Sequence, residues 1–144
     1  MKDIYVPFQP ALLSSGLKSL GLSMRECRPS NVLSSIVHSY VSMDVEKPVH
    51  YPIMPDGTVS IFVFPGETLI RGPFSHPINP YIDAAGNYFG IRFYPAGLRF
   101  LFRNNFEEIS HQVVDSRFFE CKVFDSIHQR IYDSNSWQEQ ISIM

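Results

Sequence analysis

Glycine and proline are crowded into one stretch of this 144-residue chain and missing from another, and no other feature limits its fold so strongly. Residues 48–97 hold eight prolines and six glycines, while residues 98–144 hold neither. Short segments punctuated by turn formers mark an antiparallel β-domain. A tract of about 47 residues without a breaker favours helices. The expected fold is therefore α+β and mainly β, an antiparallel barrel or sandwich followed by two or three C-terminal helices. Residues 1–21 read as an N-terminal arm, 22–97 as the β-domain and 98–144 as its helical extension.

Within the β region, Asn31 to Met43 alternates weakly, with Ile36, His38 and Tyr40 on one face and Val37, Ser39 and Val41 on the other. Pro55-Asp56-Gly57 lies between Val49-His50-Tyr51 and Thr58–Phe64 and predicts a hairpin. Proline presets φ, aspartate accepts a local backbone hydrogen bond, and glycine takes positive φ. Gly72-Pro73 ends the strand Thr68–Arg71, and Ala85-Gly86-Asn87 introduces the strongest strand, Tyr88 to Tyr94. Residues 48–97 carry only five charges, and both faces of the later strands are apolar. That requires two covered faces, or a closed barrel around a cavity. Further on, Gly97–Phe102 predicts a short helix, and Cys121, Phe124, Ile127 and Ile131 form one apolar helical stripe. Ser136 and Glu139 have capping-box spacing, and the helix they open meets the end of the sequence early, as in a piece of a longer chain. In the arm, Leu12, Leu13, Leu17 and Leu20 fit an amphipathic turn or two, weakened by Gly16 and Gly21.

Composition excludes several classes. The 12 Lys+Arg against 14 Asp+Glu leave a formal charge of −2, whereas an autonomous nucleic-acid reader needs a basic face. Cys27 and Cys121 lie far apart, so neither a disulfide scaffold nor a zinc site is indicated. Pro7 and Pro10 interrupt the N-terminal apolar stretch, and no apolar run approaches the ~18–20 residues that span a bilayer. The chain reads as soluble and cytoplasmic, without membrane contact.

Catalytic patterns are scarce. His38, His50, His76, His111 and His128 never fall in a His-x-His or His-x-x-x-His pair, which argues against a metal site. No nucleophile elbow and no phosphate-cradling glycine loop appear, so no catalytic residue and no cofactor is assigned. Arg92 shares a strand face with Tyr88, Gly90 and Tyr94. Turned outward, that face would simply be solvated. Turned inward, one arginine among tyrosines would bind an anionic or sugar-like organic ligand, with Gly90 leaving space beside it. His50 and Arg71, on neighbouring strands, complete the candidate ligand-binding set. A buried Arg92 needs a partner: a ligand anion, in which case Arg92→Met should leave the thermal midpoint unchanged or higher, or a carboxylate such as Glu67 or Asp83, in which case the site is structural and the same change should damage the fold. Asp56 reads as a turn cap.

The order of short motifs carries a resemblance. Arg28-Pro29-Ser30 leads to Leu33 through Tyr40, then Pro55-Asp56-Gly57, Gly72-Pro73, Gly90-Ile91-Arg92-Phe93-Tyr94-Pro95-Ala96-Gly97 and Glu107-Glu108-Ile109. This series resembles the N-terminal sensing domain of a subgroup of AraC-type transcription regulators, over about residues 23–135. Val41 stands where that pattern has Trp, and Ala96 where it has Gly. The family's C-terminal pair of helix-turn-helix units is absent from this sequence. The resemblance implies a cupin-like β-barrel with following helices, serving effector binding or dimerisation in a homodimeric gene regulator. It implies DNA contact only through the helix-turn-helix region, and no catalysis. Two other readings compete: a cupin-like isomerase or oxygenase whose site is not visible in sequence, and a pure dimerisation module with a filled barrel.

Overall fold

The computed structural model describes residues 14–30, 32–64, 66–94, 96–97, 99, 106–119 and 122–143. Its strands are β1 (Leu22–Cys27), β2 (Val37–Val45), β3 (Val49–His50), β4 (Val59–Val63), β5 (Thr68–Arg71), β6 (Tyr81–Ile82), β7 (Gly86–Phe93) and β8 (Val113–Asp115). Its helices are α1 (Ser14–Ser19), α2 (Lys122–Asp133) and α3 (Trp137–Ile143), with single 3-10 turns at Phe106–Ile109 and Ser116–Phe119. Six strands form one antiparallel sheet in the order β1-β2-β7-β4-β5-β8, and β3 pairs with β6 as a separate ribbon. The mainly β architecture followed by helices is the expected one, in its sandwich form and not as a closed barrel: β1 and β8 remain the two edges of the large sheet.

Alternation along the strands assigns the two faces. Tyr40, Ile61, Ile70 and Ile91 lie in one cross-sheet row, flanked by Val59, Val63, Phe89 and Phe93. These residues join Val37, Ile109 and Ile131 in a buried cluster onto which Ile127, Trp137, Ile141 and Ile143 pack. Helices α2 and α3 therefore cover this face, through the stripe positions Ile127 and Ile131. Cys121 lies outside the described residues, as do Leu12, Leu13 and most of the predicted helix at Gly97–Phe102. The opposite face carries Leu22, Met43, Val45 and Tyr88, packed with Leu17 of α1, Ile82 of β6, and the half-buried Val49, Tyr51 and Phe64. Both faces of the sheet are thus covered, which is why the later strands are apolar on both sides.

Three expectations change. The Pro55-Asp56-Gly57 segment does not close a hairpin between paired strands. It carries the chain from the ribbon, where β3 pairs β6, to β4 in the large sheet, which pairs β5 and β7. The breaker-free C-terminal tract is not all helix, since β8 pairs with β5 at the sheet edge. Gly21 does not merely weaken the arm's helix but ends it: with φ 72 it turns the chain out of α1 and donates to the Lys18 carbonyl at 3.1 Å. Ser136 does open α3, its hydroxyl accepting from the Glu139 amide at 3.2 Å while Glu139 accepts from the Asn135 amide at 2.9 Å. No helix among the described residues is long and apolar enough to cross a membrane.

Candidate functional site

One cross-sheet row on the ribbon-side face is polar. Ser39 of β2, Arg92 of β7, Ser60 of β4 and Arg71 of β5 are successive partners across the sheet. All four are buried, Arg92 at 5% and Arg71 at 7% exposure. Two guanidiniums therefore flank Ser60 inside the sandwich. They face a cavity of about 30 Å³, room for a water or two, lined by Met24, Val41, Met43, Tyr51, Ile53, Phe62, Arg71 and Arg92. Larger clefts of about 250 Å³ lie open on the surface, one beside Thr68 and His128 and one beside Asn87 and Trp137.

Charge in this interior is compensated by carboxylates from two other segments. Asp56 Oδ2 accepts from Arg92 Nη2, and Glu26 Oε1 of β1 accepts from Arg92 Nη1 at 3.1 Å. Asp56 Oδ1 takes the Thr58 amide at 3.0 Å and the Thr58 hydroxyl at 2.7 Å. The Thr58 hydroxyl in turn accepts from Arg71 Nη2 at 3.2 Å, and Ser60 Oγ accepts from the same nitrogen at 3.1 Å. Tyr51 closes the site from the ribbon side. Burial pushes its phenol up to about 12 despite the opposing pull of Arg92 and Arg71, so it stays a neutral hydroxyl at ordinary pH. His38 sits at the interruption of the β2–β7 register between Val37 and Ser39, where its Nδ1 shares a 2.9 Å hydrogen bond with Ser39 Oγ and lies 3.9 Å from Glu26. Burial, then the Arg92 charge, lower its pKa.

The five residues singled out from sequence divide accordingly. Arg92 and Arg71 share the site. Tyr88 is buried in the neighbouring apolar cluster and its hydroxyl donates to the Ala84 carbonyl at 2.5 Å. Tyr94 meets the His38 ring edge-on at 5.5 Å, and the exposed His50 leans on Tyr81 at 4.9 Å, outside the cavity. The space expected beside Gly90 is filled: a Cβ there would lie 2.6 Å from the Phe62 ring. The partners of Arg92 are Asp56 and Glu26, in place of Glu67 or Asp83. Sequence reasoning took Asp56 for a turn cap, and it is one, but its second oxygen belongs to the site. Glu26, Thr58, Ser60 and Tyr51 were not singled out. Ser39 and Ser60 were the available signal, lone polar residues inside apolar strands. Among the described residues, no group of three or more His, Cys, Asp or Glu is placed to hold a metal ion. His76 and His111, distant in sequence, do stack with ring centres 5.3 Å apart.

Fold and site together define a class, a two-sheet antiparallel sandwich backed by helices, with an enclosed arginine pair between the sheets. Residues 25–115 match the family model described as a domain of unknown function, DUF6597, and the chain belongs to that family. The matched span runs from β1 to the end of β8 and contains Glu26, Asp56, Arg71 and Arg92. No curated protein and no solved structure matches the chain.

Proposed function

We propose that this chain is the effector-binding domain of an AraC-type transcription regulator, acting in the cytoplasm as a homodimer and without catalysis. The observation that carries the reading is the inward aim of Arg92. The reading is supported by the burial of this arginine, within the Gly90 to Gly97 motif that resembles such regulators, beside the buried Arg71 at a small cavity. A guanidinium pair under a neutral tyrosine, walled by methionines and Phe62, supplies charge-assisted donors and an apolar lining, the combination that orients a small organic molecule. The cupin-like reading of the sandwich rests on the same motif series. The test is a thermal-shift screen of the chain against panels of organic acids, sugars, amines and nucleosides, with sedimentation of the same sample. We expect at least one class to raise the midpoint, with no chemical change in the recovered compound, and a dimer in solution. A hit that is converted would overturn the non-catalytic reading in favour of a cupin-like enzyme. A dimer that answers to no class would favour the pure dimerisation module.

A further inference from the structure

Glu26 stands apart from the other groups around Arg92. The Arg92 side chain is 6% exposed and that of Asp56 3%, but that of Glu26 is 34% exposed, on the edge strand of the sheet. Asp56 is fixed by three donors, the Thr58 amide, the Thr58 hydroxyl and Arg92. Glu26 accepts from Arg92 and otherwise lies 3.9 Å from His38 Nδ1. Two buried guanidiniums call for two counter-charges, and the second is delivered by a side chain at the rim. We propose that Glu26 is an internal stand-in for the ligand, and that a monocarboxylate with a short apolar tail displaces it from Arg92.

This rests on the effector-binding reading and gives it a ligand class. Exchanging one carboxylate for another leaves the interior charge unchanged, so the ligand does not bring an uncompensated ion into the sandwich. The charged groups lining the cavity are two guanidiniums, which only donate, so an anionic acceptor matches them better than a neutral polyol does. The rest of the lining, Met24, Met43, Ile53 and Phe62 among it, is apolar and takes the tail. The cavity as it stands, about 30 Å³, holds only a water or two, so the tail enters as the unbranched Met24 and Met43 yield.

The experiment titrates acetate, butyrate and hexanoate, with butanol and chloride as controls, into the wild type and Glu26→Gln, followed by calorimetry and by the methyl NMR signals of Met24 and Met43. Glu26→Gln keeps the shape and removes the competing charge. We expect saturable carboxylate binding that moves both methyl signals, is at least ~10-fold tighter in Glu26→Gln, and has no counterpart with butanol. Equal affinity in the two forms overturns the exchange. Chloride binding Glu26→Gln as tightly as butyrate overturns the role of the tail. A sugar or amine from the screen that stabilises the wild type, with carboxylates inert, overturns this ligand class and leaves the effector-binding reading standing.

Discussion

Arg92 and Asp56 are held as a buried pair, so removing one leaves the other charged in an apolar surround. Sequence reasoning expects Arg92→Met to leave the midpoint unchanged or higher if the arginine serves a ligand. Arg92 is paired with an Asp56 side chain only 3% exposed, so the structural outcome is the one expected. Arg92→Met should cost about 3–5 kcal/mol in denaturant unfolding. The double variant Asp56→Asn, Arg92→Met should cost clearly less than the sum of the singles, because neither charge is then stranded. Additive losses would show that the two do not stabilise each other. His38 offers a second residue-scale test. The groups facing it are Glu26, Arg92, Arg28 and Asp56, and burial dominates, lowering its pKa from 6.5. The unfolded chain therefore binds a proton at His38 before the folded one does, so stability present above pH 6.5 is lost as pH falls below it. Replacing His38 with Gln should flatten that part of the stability–pH profile. An unchanged slope would mean that His38 is not the titrating group.

At the scale of elements, alternation was enough to read β7. Tyr88, Gly90 and Arg92 face the ribbon, and Phe89, Ile91 and Phe93 face the helices, as their period of two requires. The candidate site was legible only in part, because Arg92 and Arg71 meet through Ser60, and that meeting depends on β4 pairing with both β5 and β7. Strand order is set by long-range packing, which no local motif encodes. Asp56 does accept the Thr58 amide and Gly57 does take positive φ, but that local chemistry does not state which strands the segment joins. Strand β8 spans only Val113–Asp115, too short to show a period, and its tract lacks the Gly and Pro that punctuate the other strands. Gly97 has a packing reason to be glycine. A Cβ on Gly97 would sit 2.3 Å from the Ile36 carbonyl oxygen, backbone that cannot step aside cheaply, whereas Ala96 is exposed. Gly97→Ala should therefore cost about 1–3 kcal/mol by chemical denaturation. Ala96→Gly, restoring the residue of the resembling pattern, should stay within about 1 kcal/mol of the wild type. Equal effects at the two positions would refute this packing explanation for Gly97.

At the scale of the whole molecule, charge decides what the domain can do unaided. The formal charge is −2, and residues 98–144 are themselves acidic, with five Lys or Arg against seven Asp or Glu. Of the cations, Arg71 and Arg92 are buried between the sheets and cannot reach a phosphate. Arg117 is tied to Asp115 by hydrogen bonds that hold that carboxyl down at about 2, so the pair presents no net charge across the physiological range. Binding to duplex DNA draws most of its free energy from releasing counterions at several neutralised phosphates, which takes several free cations on one face. Two of its eight arginines are thus turned inward. In an electrophoretic shift with a random-sequence duplex at physiological salt, the chain should leave the DNA unretarded at ~10 μM, where a basic reader of similar size binds non-specifically. Lowering the salt should produce at most a weak shift that vanishes again as salt is restored. Micromolar, salt-resistant retardation would overturn the charge argument and, with it, the proposal that this domain senses a ligand without itself contacting DNA.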